Sequence, residues 1–194
     1  MKIRRVKSIM VPLDEYATVR EDASLHDAVR ALREAQNALK REGYKHKSLL
    51  VYDRTGRFVI GKISQLDIIR ALEPKYRQAG EKDKQSVSGL SRFGMSPDYI
   101  KSLSSQYDLW DQPLESLIDK AALLKVKDFM YTPSGGEFVS EDAALADAIH
   151  QLMLGCHQAL IVMKNNDITG ILRLVDIFSE VCELILTNRY NNLS

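Results

Sequence analysis

A chain of 194 residues, 45% hydrophobic and 27% charged, has the make-up of a globular protein with a substantial core, and its length fits one domain or two small modules. With 27 Lys and Arg against 26 Asp and Glu, the formal charge of +1 lacks the basic excess of a dedicated nucleic-acid binder. The longest apolar run, Ala159 to Met163, is far short of the roughly 20 residues of a membrane span; the basic start (Lys2, Arg4, Arg5, Lys7) is followed by no apolar signal stretch, and Cys156 and Cys182 make no disulfide framework, so a reduced cytoplasmic protein is expected.

In chain order, the segment Val6-Lys7-x-x-Met10 comes first. Leu25, Ala28, Val29 and Leu32 then follow the i, i+3, i+4, i+7 spacing of an apolar helical stripe, and Ser24 with Asp27 supplies a capping-box start. Arg30, Arg33, Lys40, Arg41, Lys45 and Lys47 make this elongated helix basic; Glu34 and Glu42 are interleaved, the pattern of a solvated face. Ser48-Leu49-Leu50-Val51-Tyr52 has strand length, Asp53-Arg54-Thr55-Gly56 is a turn signal, and a second strand over Phe58 to Ile63 leads into a helix beginning near Ser64. Glu73 to Ser91 is rich in Lys, Glu, Gln, Ser and Gly and predicts a flexible, solvated connection. Ser96 can cap a helix with Pro97 at its first position and Tyr99, Ile100, Leu103 and Tyr107 at helical spacing; Pro113 to Ile118 predicts another short one. Trp110 lies between them, either packing this insertion onto the body or contributing to a partner contact.

The pattern then starts again. Val126-Lys127-x-x-Met130 repeats the opening segment at an offset of 126 − 6 = 120, and Asp142-x-Ala144-Leu145-x-x-Ala148 repeats Asp22-x-Ser24-Leu25-x-x-Ala28 at the same offset. Leu160-Ile161 aligns with Leu50-Val51 at 110, and Gly170 and Asp176 align with Gly61 and Asp67 at 109. The first copy therefore carries 120 − 109 = 11 extra residues, most of them between Glu34 and Lys47. Two β-α-β-β-α units of 60 to 70 residues result, each small for independent stability. Short apolar strands alternating with helices predict small sheets covered by helices, an α+β fold.

The most informative local feature is Gly61-Lys62-Ile63-Ser64-Gln65-Leu66-Asp67, a strand turning into a helix, with Gly170-Ile171-Leu172-Arg173-Leu174-Val175-Asp176 as its counterpart. Free amides and partial positive charge at a helix start favour an anion such as phosphate, and an Asp one turn along can accept from a pair of ribose hydroxyls. Ser64-x-x-Asp67 is equally a plain helix cap. Arg173 cannot cap, yet Asp176 is retained beside it, and a guanidinium fork suits phosphate. Lys62 is a further phosphate candidate, although neighbours in a strand point to opposite faces. His26, His46, His150 and His157 are scattered, and Cys156 and Cys182 fit as buried small hydrophobes. With no phosphate loop, nucleophile elbow or Gly-rich dinucleotide turn, no enzymatic activity is expected.

These motifs together resemble a tandem pair of cystathionine-β-synthase (CBS) domains, a Bateman module, over residues 3–72 and 123–187 with 73–122 as a mainly helical insertion. The resemblance implies two βαββα repeats related by pseudo-twofold symmetry, forming one compact module with two adenosine-ligand clefts between them. It implies regulation by AMP, ADP, ATP or S-adenosylmethionine, no required cofactor or metal, an association into homodimers, and a signal passed to a separate, unidentified effector protein. Asp67 and Asp176 map to the ribose-binding aspartates and Ser64 to the hydroxyl residue near the phosphate. Arg173 departs from that pattern. Val11-Pro12 and Thr132-Pro133 map to the turns where base contacts begin. The competing expectation is a dimeric interaction scaffold whose clefts stay empty.

Overall fold

The computed structural model describes residues 4–38, 47–76, 96–109 and 111–191. Trp110, His46, and Lys40, Arg41 and Lys45 of the expected basic helix fall outside them. The first repeat comprises β1 (Val11–Pro12), β2 (Thr18–Arg20), α1 (Leu25–Ala38), β3 (Ser48–Tyr52), β4 (Val59–Ser64) and α2 (Gln65–Leu72). The insertion contributes α3 (Pro97–Gln106) and α4 (Leu114–Ala121). The second repeat follows with α5 (Val126–Phe129), β5 (Phe138–Ser140), α6 (Leu145–Gly155), β6 (Ala159–Lys164), β7 (Asp167–Arg173) and α7 (Leu174–Asn191).

Each repeat builds its own sheet, β2-β3-β4 in the first and β5-β6-β7 in the second, with a parallel outer pair and an antiparallel hairpin. Alternation along the strands decides where the cores lie. Leu49, Val51 and Ile63 point into a first core with Leu25, Ala28 and Leu32 of α1, while Leu160, Val162 and Leu172 join Leu145, Ala148 and Leu152 in a second. The opposite strand faces supply a third cluster, Tyr16, Leu50, Ile161 and Ile171, in which the repeats meet.

The register moves one sequence alignment by a residue. Leu50 opposes Lys62 and Ile161 opposes Ile171, so β3 matches β6 at 161 − 50 = 111, not the 110 that pairs Leu50 with Leu160. A slip of one reverses every face, which is why Leu50 sits between the repeats and Leu160 inside the second core. The two residues lost again by β7 lie in the hairpins. Asn165 and Asn166, both at positive φ, make a tight two-residue turn in the second repeat, whereas the first needs the longer loop around Asp53.

The leading segments are exchanged between the repeats. Val6 is fully buried in the second core, with its N–H bonded to Ala143 O at 3.1 Å and that of Lys7 to Glu141 O at 2.9 Å. In mirror fashion, Val126 and Phe129 complete the first core, with Val126 N–H bonded to Ala23 O at 2.9 Å and Lys127 N–H to Glu21 O at 3.0 Å. β1 then pairs antiparallel with β7, and Tyr131 bridges to Lys62 on β4. The recurring glycines follow from this exchange: a Cβ on Gly170 would stand 2.4 Å from Val11 O, and one on Gly61 2.8 Å from Met130 Sδ.

Ser96 caps α3 and Pro97 opens it as expected, but the apolar spacing of α3 buries no residue, and Ile100 is exposed. Glu73, placed by composition at the start of a solvated connection, is buried at the end of α2, and residues 77–91 lie outside the described part. α4 packs on α2 through the buried Leu117 and Ala121. Cys156 is exposed, not buried: it ends α6 in the left-handed conformation.

Candidate functional site

The strand-to-helix turns of the two repeats, Ser64–Leu66 and Arg173–Val175, line a single groove of about 570 Å³. Lys47 and Ser48 at the entry to β3, Gln158 and Ala159 at the entry to β6, and Tyr16, Leu66 and Phe178 also line it. The placement follows from the fold. Gln65 N–H bonds Lys47 O and Leu174 N–H bonds Gln158 O, both at 3.0 Å, so each helix starts beside the residue that leads into its neighbouring strand. The groove thus receives two helix N-termini, the positive ends of their dipoles, together with Lys47 and Arg173.

Behind these turns the two aspartates are held differently. Ser64 and Asp67 form a complete capping box: Asp67 Oδ2 accepts from Ser64 N–H at 2.8 Å and from its hydroxyl at 2.6 Å, and Ser64 Oγ accepts from Asp67 N–H at 3.2 Å. Ser24 and Asp27 make the same box at the start of α1, so this geometry is structural wherever else it serves. In the second repeat Arg173 replaces the cap with an ion pair: Nε donates to Asp176 Oδ2 and Nη2 to Oδ1, both at 2.6 Å, with only 11% and 12% of the two side chains exposed. The fork that suits a phosphate is turned on the neighbouring carboxylate.

Lys62 is two residues from Ser64 on β4, on the strand face opposite Ile63. The expectation that it points away from the motif is corrected by the alternation itself: Lys62 shares the face of Ser64. Its ammonium is paired with Glu137, a carboxylate 1% exposed on the one-turn helix before β5, and sits 5.1 Å from the centre of the Tyr131 ring. Tyr131 OH donates to Glu137 Oε1 at 2.5 Å. Burial alone raises a carboxyl group's pKa; the bonds from Lys62 and Tyr131 outweigh it and hold Glu137 below the usual glutamate range, while Glu137 pushes the Tyr131 phenol up. Tyr16 is buried against Leu50 and Ile171, which raises its phenol, and shares a 2.6 Å hydrogen bond with Ser48 Oγ.

Of the residues singled out in the sequence, the groove brings Ser64 and Arg173 together; Asp67 and Asp176 stand one turn behind them. Val11 and Pro12 lie half-buried beside Ile171 and Gly170, and Thr132 and Pro133 follow the Tyr131–Lys62 bridge. Sequence reasoning missed Tyr16, Gln158 and Glu137, and gave Lys47 only to a solvated face. For Glu137 the signal was present: at the offset of 120 it stands where the first copy has Ala17, a charge in an apolar slot. Among the described residues no cluster of three or more His, Cys, Asp or Glu could hold a metal, and no helix is long and apolar enough to cross a membrane.

Comparison with solved structures shows the same architecture. A CBS domain-containing protein of unknown function from Bacillus anthracis is 15% identical with a TM-score of 0.59 over 93% of this chain and 94% of its own. CBSX2 from Arabidopsis thaliana is 18% identical with a TM-score of 0.57 over 94% and 97%, and a structure of CBSX2 in complex with AMP is 19% identical with a TM-score of 0.55 over 93% and 97%. None of the curated proteins compared with the chain matches it. The family model of the CBS domain matches twice, over residues 6–74 and 126–183, which is most of the chain and both of the repeats built above; the chain belongs to the CBS-domain family as a tandem CBS pair.

Proposed function

We propose that this CBS pair is a cytoplasmic regulatory module, its two repeats acting as one unit, that binds an adenine nucleotide in the groove between them and signals to a separate protein by contact. The observation that carries this reading is the convergence of two helix N-termini, Lys47 and Arg173 on one groove, an arrangement matched to phosphate. The AMP bound by CBSX2 supports the ligand class. Asp176 becomes available to ribose hydroxyls when a phosphate takes its place on the Arg173 fork, one charge-assisted pair being exchanged for another. That exchange needs phosphate on the ligand, so AMP, ADP and ATP bind more tightly than S-adenosylmethionine. Signalling follows only from a difference in affinity between two arrangements of the repeats.

Calorimetric titration tests this. Heat is expected with AMP, ADP or ATP, and Arg173→Ala should weaken binding about 10- to 100-fold, the size of a lost charge-assisted hydrogen bond. Absence of binding by every nucleotide sinks the reading. Equal or tighter binding of S-adenosylmethionine sinks the proposed exchange. A second reading, a homodimeric scaffold without ligand, is favoured by one observation: the Arg173–Asp176 pair satisfies its own charges. Under either reading a homodimer is expected to form over the exposed Leu66 and Ile69 of α2 and Phe178, Ile185 and Leu186 of α7.

A further inference from the structure

The two halves of the inter-repeat cleft are equivalent in backbone and opposite in chemistry. Val11 pairs with Ile171 just as Tyr131 pairs with Lys62, and Ala17 and Glu137 each immediately precede the first strand of their sheets. The half that ends in Arg173 and Asp176 is therefore walled by Val11 and Ile171, whereas the half that ends in Ser64 and Asp67 carries Tyr131 and Lys62 at the same places, with Glu137 between them where the first repeat has Ala17, a residue of its own core. We propose that Lys62, Glu137 and Tyr131 form an interlock that closes the Asp67 half, so that the module takes one nucleotide per chain, with its base against the apolar wall of the Asp176 half.

Three observations carry it. Glu137 is as buried as the core leucines, and its carboxylate is matched by an ammonium and a phenol that reach it from β4 and from the exchanged segment. A base entering there must separate them and leave a buried charge without its partner, the costliest outcome available to an ion pair. The opposite half offers apolar side chains, and Tyr16, which stands over them, is held to Ser48 by a neutral hydrogen bond that breaks far more readily. Finally, Tyr16, which lines the groove, packs with Ile171 and Val11, so the groove adjoins the apolar half.

The inference rests on the nucleotide reading above, and the test separates the two. Lys62→Ile, Tyr131→Val and Glu137→Ala, introduced together, replace the interlock by the residues at the equivalent positions, Ile171, Val11 and Ala17. AMP titrated into the wild-type chain should give one site per chain and into this variant two, the added site disappearing again with Asp67→Asn. Two sites in the wild type overturn the proposal, as does a variant that unfolds cooperatively and binds no more AMP than the wild type. If the wild type binds none, the nucleotide reading fails while the interlock is judged by the variant: a gained site upholds it and no gain overturns it. Should the variant not fold, hydrogen exchange of the wild type with and without AMP decides, with protection expected across Val11 to Tyr16 beside the apolar wall; equal protection across Tyr131 to Glu137 overturns the proposal.

Discussion

Gly170 and Arg173 lie three residues apart and show how differently two positions can be constrained. Gly170 is fixed by steric contact with the exchanged segment, since a Cβ would stand 2.4 Å from Val11 O. Backbone cannot yield as a side-chain tip can, so Gly170→Ala should destabilise the fold by about 1–3 kcal/mol in denaturant titrations. Arg173 is held by charge: its fork is engaged by Asp176, a partner that a competing anion can replace. Both residues were visible in the sequence, one as a repeated glycine and the other as a departure from the repeat. What the sequence withheld was the object that Gly170 faces, because Val11 comes from the other repeat, whereas Asp176 stands in Arg173's own motif. Glu137 was hidden for the same reason, since Lys62 is 75 residues away. Its lowered pKa makes a signed prediction. A depressed carboxyl stabilises the fold fully above its unfolded value of about 4.3, and that contribution fades as pH falls through the lower folded value. Urea unfolding should therefore lose stability below pH ~4, and Glu137→Gln should be less stable at pH 7 with a flatter acid limb.

At the scale of elements, helical and strand periodicity was legible nearly throughout. Leu25, Ala28 and Leu32 of the α1 stripe, the hairpins and the caps of α2 and α3 stand where composition and spacing put them, whereas Val29, the fourth residue of that stripe, is exposed. Two elements did not follow. β3 sits one residue off its sequence alignment, because unbroken apolar runs such as Leu49-Leu50-Val51 carry no alternation to set the face. α3 has helical spacing but buries none of it, since spacing shows that a face exists and not that something covers it. The exchanged segments were legible as repeats and illegible as exchanges: Val6-Lys7 and Val126-Lys127 read the same whichever core they enter. Val6→Ala should cost about 2 kcal/mol, and hydrogen exchange should accelerate in α6 and β6 of the second repeat, not in α1 of the first. Faster exchange in α1 would contradict the exchanged arrangement.

For the whole molecule, the question is what the outer surfaces of α2 and α7 are for. Leu66 and Phe178 stand at the groove, and Ile69, Ile185 and Leu186 extend the apolar surface along the helices. A ligand that orders the groove would also order the starts of both helices, so binding and self-association should be linked, and each should strengthen the other. Ile69→Glu should convert a dimer into a monomer in size-exclusion chromatography with light scattering; a dimer that survives the substitution places the contact elsewhere. α4 covers part of α2 in the first repeat only, so the two apolar helices present unequal surfaces to any partner.

The exchange of leading segments also sets an order of events during synthesis. The first repeat's core needs Val126 and Phe129, which lie more than fifty residues beyond its last strand, at Ser64. A growing chain can form both hairpin strands and α1 and still hold an open apolar slot until residue 129 has left the ribosome, about three to thirteen seconds after Ser64 at ordinary elongation rates. The second repeat has no such delay, because Val6 was made first and waits for it. The insertion is translated during that interval, so α4, which rests on α2, is in place to cover part of the unfinished half before its core is sealed.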